Sequence, residues 1–254
     1  MGNYAEVNGI NMYHELQGEG DPLVLIHGGG STIDSSFGRL IPLLSKTRKI
    51  IAMELQAHGR TGDREQFLSF RQDADDVAAL MEKLGIAKAS ILGFSNGGQT
   101  AIQLALSYPS LVNKLVLCST FYKRSAALPE FWNGFETAKF TDMPQVYADA
   151  FLKVNNDERA LHNMFNKDVQ RMKNFAGWTD EEIGSIKSPT LIVNANADVG
   201  SAEHAVEMHR RIKGSTLVIL PGGHGAYLGE IFASVENSTA HHHFAALLET
   251  FLEE

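Results

Sequence analysis

The chain has one cysteine in 254 residues, which excludes an internal disulfide and with it the disulfide-stapled class of small folds. That residue, Cys118, ends the apolar run Lys114-Leu115-Val116-Leu117-Cys118, where a thiol serves as a small buried hydrophobe. No window approaches the ~20 apolar residues that a membrane helix needs. The N-terminus, Met1-Gly2-Asn3-Tyr4-Ala5-Glu6, lacks the basic and apolar regions of a secretory signal. Glu6 stands where a myristoylation signal carries Ser or Thr. A soluble cytoplasmic protein is the expectation. Positive charge is also scarce: 22 Lys and Arg face 30 Asp and Glu, a formal net charge of −8. The mean field opposes nucleic-acid phosphates, so the expected partner is a small molecule, with no nucleic acid and no membrane.

What is present reads as an α/β protein. With 44% hydrophobic and 20% charged residues, the composition is that of a globular chain, and this length suits one substantial core. Six short apolar runs, Leu23 to His27, Lys49 to Leu55, Ala89 to Phe94, Asn113 to Ser119, Thr190 to Ala195 and Ser215 to Leu220, suit strands buried on both faces of a parallel sheet. Helical periods separate them, at Asp73 to Leu84, Gly97 to Tyr108, Ala202 to Ile212 and His241 to Phe251. This alternation implies a right-handed, mostly parallel sheet. Antiparallel pairing is expected only at the start, where Asn8-Gly9 supplies a hairpin turn between Tyr4 and Gln17.

The alternation fails between residues 121 and 187, which reads as a helical cap inserted into a core made of residues 1–120 and 188–254. The segment holds Phe131, Trp132, Phe135, Phe140, Met143, Tyr147, Phe151, Met164, Phe165, Phe175 and Trp178, too many large apolar groups for a solvated loop. Most are expected to form the cap's own core and a minority to face a cavity between cap and sheet.

Gly93-Phe94-Ser95-Asn96-Gly97 fits G-x-S-x-G between a strand and a helix, the context in which a serine on a sharp turn becomes a nucleophile. The competing reading is a plain strand-to-helix turn. A serine hydroxyl needs an adjacent base, normally a histidine oriented by a carboxylate. His224 in Pro221-Gly222-Gly223-His224-Gly225 follows the last strand, and Asp198 follows the strand before it. His224 could instead be an idle loop residue, and Asp198 could cap the helix near Ala202. No carboxylate closely follows the strand ending at Ser119, the usual alternative place for the acid. The run His27-Gly28-Gly29-Gly30 can bring backbone N–H groups to a substrate oxygen. Gly29 and Asn96 are the expected oxyanion donors, with Gly28 in reserve. A phosphate loop is the competing reading, but neither the Walker Lys-Ser/Thr nor a G-x-G-x-x-G spacing is present.

The remaining histidines are weaker candidates. His204 and His209 lack a metalloprotease Glu at the right spacing and are expected to be solvated. His241, His242 and His243 fan out by about 100° each on a helix, so they cannot converge on one metal. His58, in Glu54-Leu55-Gln56-Ala57-His58-Gly59-Arg60, reads as loop structure.

With HGGG after a strand, GFSNGG, a late Asp and PGGHG in this order, the sequence resembles the α/β-hydrolase superfamily over nearly its whole length. Glu54 to Thr61 resembles the family's D-x-x-G-H-G-x-S loop, with Glu54, Ala57 and Thr61 replacing Asp, Gly and Ser. The compact length is similar to that of small bacterial esterases, enol-lactonases, perhydrolases and meta-cleavage-product hydrolases. The resemblance implies an α/β-hydrolase fold with an inserted helical cap and an acyl-enzyme cycle on Ser95, His224 and Asp198, without cofactor or metal. Its substrate would be a small ester, lactone or related acyl compound. The alternative is a hydrolase-fold receptor that binds a small ligand with little turnover.

Overall fold

The computed structural model describes residues 2–233, 235 and 237–254. Eight strands form one sheet: β1 (Gly2–Val7), β2 (Ile10–Gln17), β3 (Asp21–Ile26), β4 (Arg48–Met53), β5 (Ala89–Phe94), β6 (Val112–Cys118), β7 (Thr190–Ala197) and β8 (Thr216–Gly223). Their spatial order is β1-β2-β4-β3-β5-β6-β7-β8. The first two strands form the hairpin expected from Asn8-Gly9, and β2 pairs antiparallel with β4. All other pairs are parallel. The helices are α1 (Ile33–Phe37), α2 (Ile41–Leu44), α3 (Phe70–Lys83), α4 (Asn96–Ser107), α5 (Pro129–Thr137), α6 (Gln145–Val154), α7 (Glu158–Lys173), α8 (Asp180–Gly184), α9 (Ala202–Arg211) and α10 (Ala240–Glu253).

The two-residue period of a strand sends alternate side chains to opposite faces, and this divides the core. Val24, Ile26, Ile51, Met53, Ile91 and Leu117 pack with apolar residues of α3, α4 and α9 on one face. Leu23, Leu25, Ile50, Ala52, Leu92 and Val116 pack with α1, α2 and α10 on the other. β3, β4, β5 and β6, apolar toward both faces, lie in the middle of the sheet and are largely buried. The expectation of two-faced burial fails for Ser215 to Leu220. As β8 it is the sheet's last strand, and Ile219 is 38% exposed.

Helices α5 to α8 lie between β6 and β7 and build two small cores. One gathers Trp132, Met172 and Phe175 around Phe121 and Phe70. The other holds Phe151, Leu161 and Met164 against Ala57. Among the described residues, no helix is long and apolar enough to cross a membrane.

Candidate active site

β5 runs straight into α4, and Ser95 occupies the turn with φ 53° and ψ −123°, a conformation that L-residues rarely adopt. Such a turn needs strand and helix in near contact. A Cβ on Gly93 would lie 2.2 Å from the Gly97 carbonyl oxygen, and one on Gly97 would lie 2.1 Å from that of Ile26. Both glycines of the motif are therefore set by contact with backbone, which cannot yield as a side chain does.

The structure brings together all three residues singled out for the nucleophilic site. His224 Nε2 lies 3.0 Å from Ser95 Oγ, and His224 Nδ1 lies 2.6 Å from Asp198 Oδ1. Asp198 is held in turn. Its Oδ2 accepts from Ser119 Oγ at 2.6 Å and from the Ala195 N–H at 2.9 Å, and its Oδ1 accepts from the Val199 N–H at 2.8 Å. Burial works to raise its pKa, but the hydrogen bonds from His224, Ser119 and Ala195 hold it below the ordinary carboxylate value. Asp198 does not cap α9; that role falls to Ser201, whose Oγ accepts from the His204 N–H. The Ser119 Oγ also lies 3.0 Å from Tyr227 Oη. The position just past β6, the alternative place for a carboxylate, thus carries the Ser119 hydroxyl, which supports Asp198.

Asn96 is the first residue of α4, where backbone N–H groups have no partner within the helix. In the glycine run, the Gly30 N–H donates to Asp168 Oδ2 at 2.6 Å and the Gly28 N–H reaches Ser36 Oγ at 3.4 Å. Gly29 is the member of that run whose N–H has no protein acceptor among the described residues. It also lies against Asn96, since a Cβ on it would come 2.5 Å from Asn96 Nδ2. Gly29 and Asn96 are thus neighbours beside Ser95.

A cavity of about 400 Å³ opens over these groups and is lined by Gly29, Ser95, Asn96, Gln99 and His224 and by Asp168 of α7. From the inserted helices it receives Phe131, Phe135, Met143, Tyr147, Met164 and Phe165. Six of the eleven large groups singled out there line the cavity, so the expectation that only a minority would do so is corrected. These lining groups come from α5, from α6, from α7 and from Met143 just before α6. Gln99 Nε2 donates to the Phe121 carbonyl at 3.3 Å, while its buried Oε1 has no protein partner. A larger, open groove of about 1200 Å³ beside the Asn8-Gly9 turn and α3 contains none of Ser95, Asp198 and His224.

A buried charged cluster beside the cavity went unseen in the sequence. Arg171 on α7 pairs with Asp168 and, at 2.6 Å, with Asp73 on α3. His58 Nε2 donates to Asp168 Oδ2 at 3.0 Å and His58 Nδ1 donates to the Gln56 carbonyl at 2.9 Å. Both ring nitrogens face acceptors, and Nε2 also lies 3.3 Å from the Gly30 N; burial works to lower the His58 pKa, but the Asp168 charge and hydrogen bond raise it. Burial also works to raise Asp168, yet Arg171 and His58 hold it well below the usual range. Asp73 is pushed up to about 6 by burial, against the attraction of Arg171. Neighbouring His27 is the opposite case. Its Nδ1 faces the Gly28 carbonyl at 2.7 Å and its Nε2 accepts from the Leu55 N–H at 3.0 Å, which fixes a neutral ring. Burial lowers its pKa to about 3.

The expected solvation of His204 and His209 is also corrected. His204 is 4% exposed, lies on the sheet-facing side of α9 with Ala205 and Met208, and accepts from the Tyr122 N–H at 3.3 Å. His209 is half-buried, with Nδ1 2.9 Å from Ser215 Oγ. In the loop after β4, Glu54 is fully buried and pairs with Arg60 at 2.6 Å, and Ala57 takes φ 66°, a conformation glycine adopts more freely. No group of three or more His, Cys, Asp or Glu able to hold a metal occurs among the described residues.

Comparison with known proteins agrees with this architecture. The model of the alpha/beta hydrolase fold family matches residues 21–179. Human serine hydrolase BPHL is 29% identical over 230 residues, covering 85% of this chain and 77% of that protein. A meta-cleavage product hydrolase from Pseudomonas fluorescens superimposes with a TM-score of 0.81 at 22% identity, covering 99% of this chain and 97% of that one. The enol-lactonase of Burkholderia xenovorans gives 0.78 at 22% identity, covering 99% and 100%. The turn that places Ser95 between a central strand and a helix, the parallel sheet that carries it and the matching family model lead to one conclusion: the chain belongs to the α/β-hydrolase fold family and is a hydrolase of that fold.

Proposed function

We propose that the protein hydrolyses an ester or lactone of a small, uncharged acyl compound through an acyl-enzyme on Ser95. The observation that carries this reading is the continuous chain from Ser95 Oγ through His224 to Asp198, at 3.0 and 2.6 Å, at the floor of the cavity. Ser95 Oγ attacks the carbonyl carbon while His224 Nε2 takes its proton. Asp198 stabilises the imidazolium that forms. The N–H groups of Gly29 and Asn96 bind the oxygen as it becomes negative, each contributing about 3 kcal/mol at the transition state. The imidazolium then protonates the leaving oxygen, and water attacks the acyl-enzyme by the same steps in reverse. Residues 121–187 act as a cap that covers the acyl group on the core of residues 1–120 and 188–254.

The lining argues against an anionic substrate. Among the described residues no Lys or Arg lines the cavity, and its ionisable walls besides His224 are Asp142, Asp168 and Tyr147. A substrate carboxylate buried there would find no cation, at a cost of several kcal/mol. The free Gln99 Oε1 instead offers an acceptor to a hydroxyl or N–H on the substrate.

The test is a panel of esters and lactones, neutral and carboxylate-bearing, assayed on wild type and Ser95→Ala. The expected result is repeated turnover of neutral members, loss of at least about 10⁴-fold in Ser95→Ala, and labelling of wild type alone by a fluorophosphonate. Unchanged turnover in Ser95→Ala would refute the mechanism. A single slow turnover with tight binding would point to the receptor reading.

A further inference from the structure

The acyl-enzyme reading needs the Gly29 N–H aimed at the reacting oxygen, yet Gly29 belongs to a run of three glycines, the least self-supporting backbone available. The structure shows what holds it. The peptide joining Gly29 to Gly30 is gripped at both ends: its carbonyl accepts from Ser31 Oγ at 3.3 Å and its N–H donates to Asp168 Oδ2 at 2.6 Å. Asp168 belongs to α7, 138 residues away in the chain, and lines the cavity. A Cβ on Gly29 would come 3.2 Å from Asp168 Oδ2, so the carboxylate lies directly against the residue it steadies.

The carboxylate is itself fixed. Its second oxygen is engaged by Arg171, one turn further along α7, and Arg171 reaches on to Asp73 of α3 at 2.6 Å. His58 donates to the oxygen that receives Gly30, at 3.0 Å. The Arg171 guanidinium and the hydrogen bond from His58 keep Asp168 ionised and therefore acceptor-only, the state the Gly30 N–H requires. A general structural anchor could have used any acceptor on any element. Here the acceptor comes from the inserted helices and ends on the oxyanion loop.

We propose that Asp168 is a positioning residue that sets the orientation of the Gly29 N–H donor and makes its alignment depend on the seating of α7. Through this contact the donor is in place when the helices that cover the acyl group are in place, so binding in the cavity and readiness for chemistry are linked.

This inference rests on the acyl-enzyme mechanism, and Asp168→Asn tests it. The amide offers one acceptor oxygen to three donors and turns an NH₂ toward donors. The expected result is a kcat lower by about 30- to 100-fold with KM changed by less than three-fold. Affinity for a trifluoromethyl ketone, which forms an oxyanion on Ser95, should fall by the same factor. Affinity for a non-reacting amide of the same acyl group, measured on Ser95→Ala proteins with and without Asp168→Asn, should not change. A merely structural role would weaken both ligands together or neither. Asp168→Glu keeps the charge between Arg171 and His58 while displacing the carboxylate, and serves where Asn does not fold; it should show the same pattern at a smaller size. Wild-type kcat and ketone affinity in whichever variant folds would overturn the proposal. Failure of wild type to react with ketone and fluorophosphonate alike would overturn the acyl-enzyme mechanism and this inference with it.

Discussion

Asp198 shows how much of the proposed site consists of residues that would never meet a substrate. Its two oxygens accept from three groups besides His224, and the Ser119 hydroxyl at 2.6 Å is the one from a neighbouring strand. Ser119→Ala is expected to lower kcat about ten-fold, equivalent to ~1.4 kcal/mol and within the range for a hydrogen bond to a charged group. KM should barely move, which steady-state kinetics on one good ester would show. Ser95, His224 and Asp198 were legible in the sequence because each sits at a strand end and their chain order is constrained. Asp168, Arg171 and Asp73 were not. Each lies within an ordinary helical sequence, and a carboxylate and a guanidinium three residues apart on α7 look like a solvated pair until the fold buries both.

At the level of elements, the β5–α4 junction carries the tightest constraint. Gly97→Ala would force its Cβ to within 2.1 Å of the Ile26 carbonyl oxygen, a backbone atom inside the sheet that has nowhere to go. The helix would have to lift from the strand, at a cost of about 3 kcal/mol or more, or roughly 6–12 °C in Tm for a chain of this size. Thermal unfolding followed by circular dichroism would show it; a shift of under about 2 °C would mean that helix and strand are not held this closely. Most elements, α4 included, were readable from period and punctuation to within a few residues. The exposed face of β8 and the choice of which inserted apolar groups line the cavity were not, since both depend on which neighbours an element meets. A strand's apolar run does not reveal that it is the last in the sheet, nor does a Phe in a short helix reveal on which side its partners lie.

Across the whole molecule, buried ionisable groups tie stability to pH. Burial lowers His27 to about 3 and His204 to about 4, so on acidification the unfolded chain takes up protons at these rings from pH ~6.5 while the folded chain does not. Stability present above that pH is lost as pH falls toward those folded values. Asp73, raised to about 6, Glu230, also raised by burial, and His58, raised against burial by Asp168, act in the opposite sense, favouring the folded state once protonated. His27 and His204 span the wider range and prevail. Tm is therefore expected to fall between pH 7 and pH 5, and His204→Gln should flatten the decline. A Tm that rises over this interval would contradict the neutral burial of these rings.

The sequence by itself determined the α/β alternation, the serine turn and the order of its partners, because these depend on local period, glycine punctuation and chain order. Only the tertiary structure decided that His204 is buried, that β8 lies at the sheet edge, and that Asp168 meets the Gly30 N–H. The reason is physical: burial, pairing and charge balance belong to contacts between segments distant in the chain, and no local pattern encodes which segments will meet.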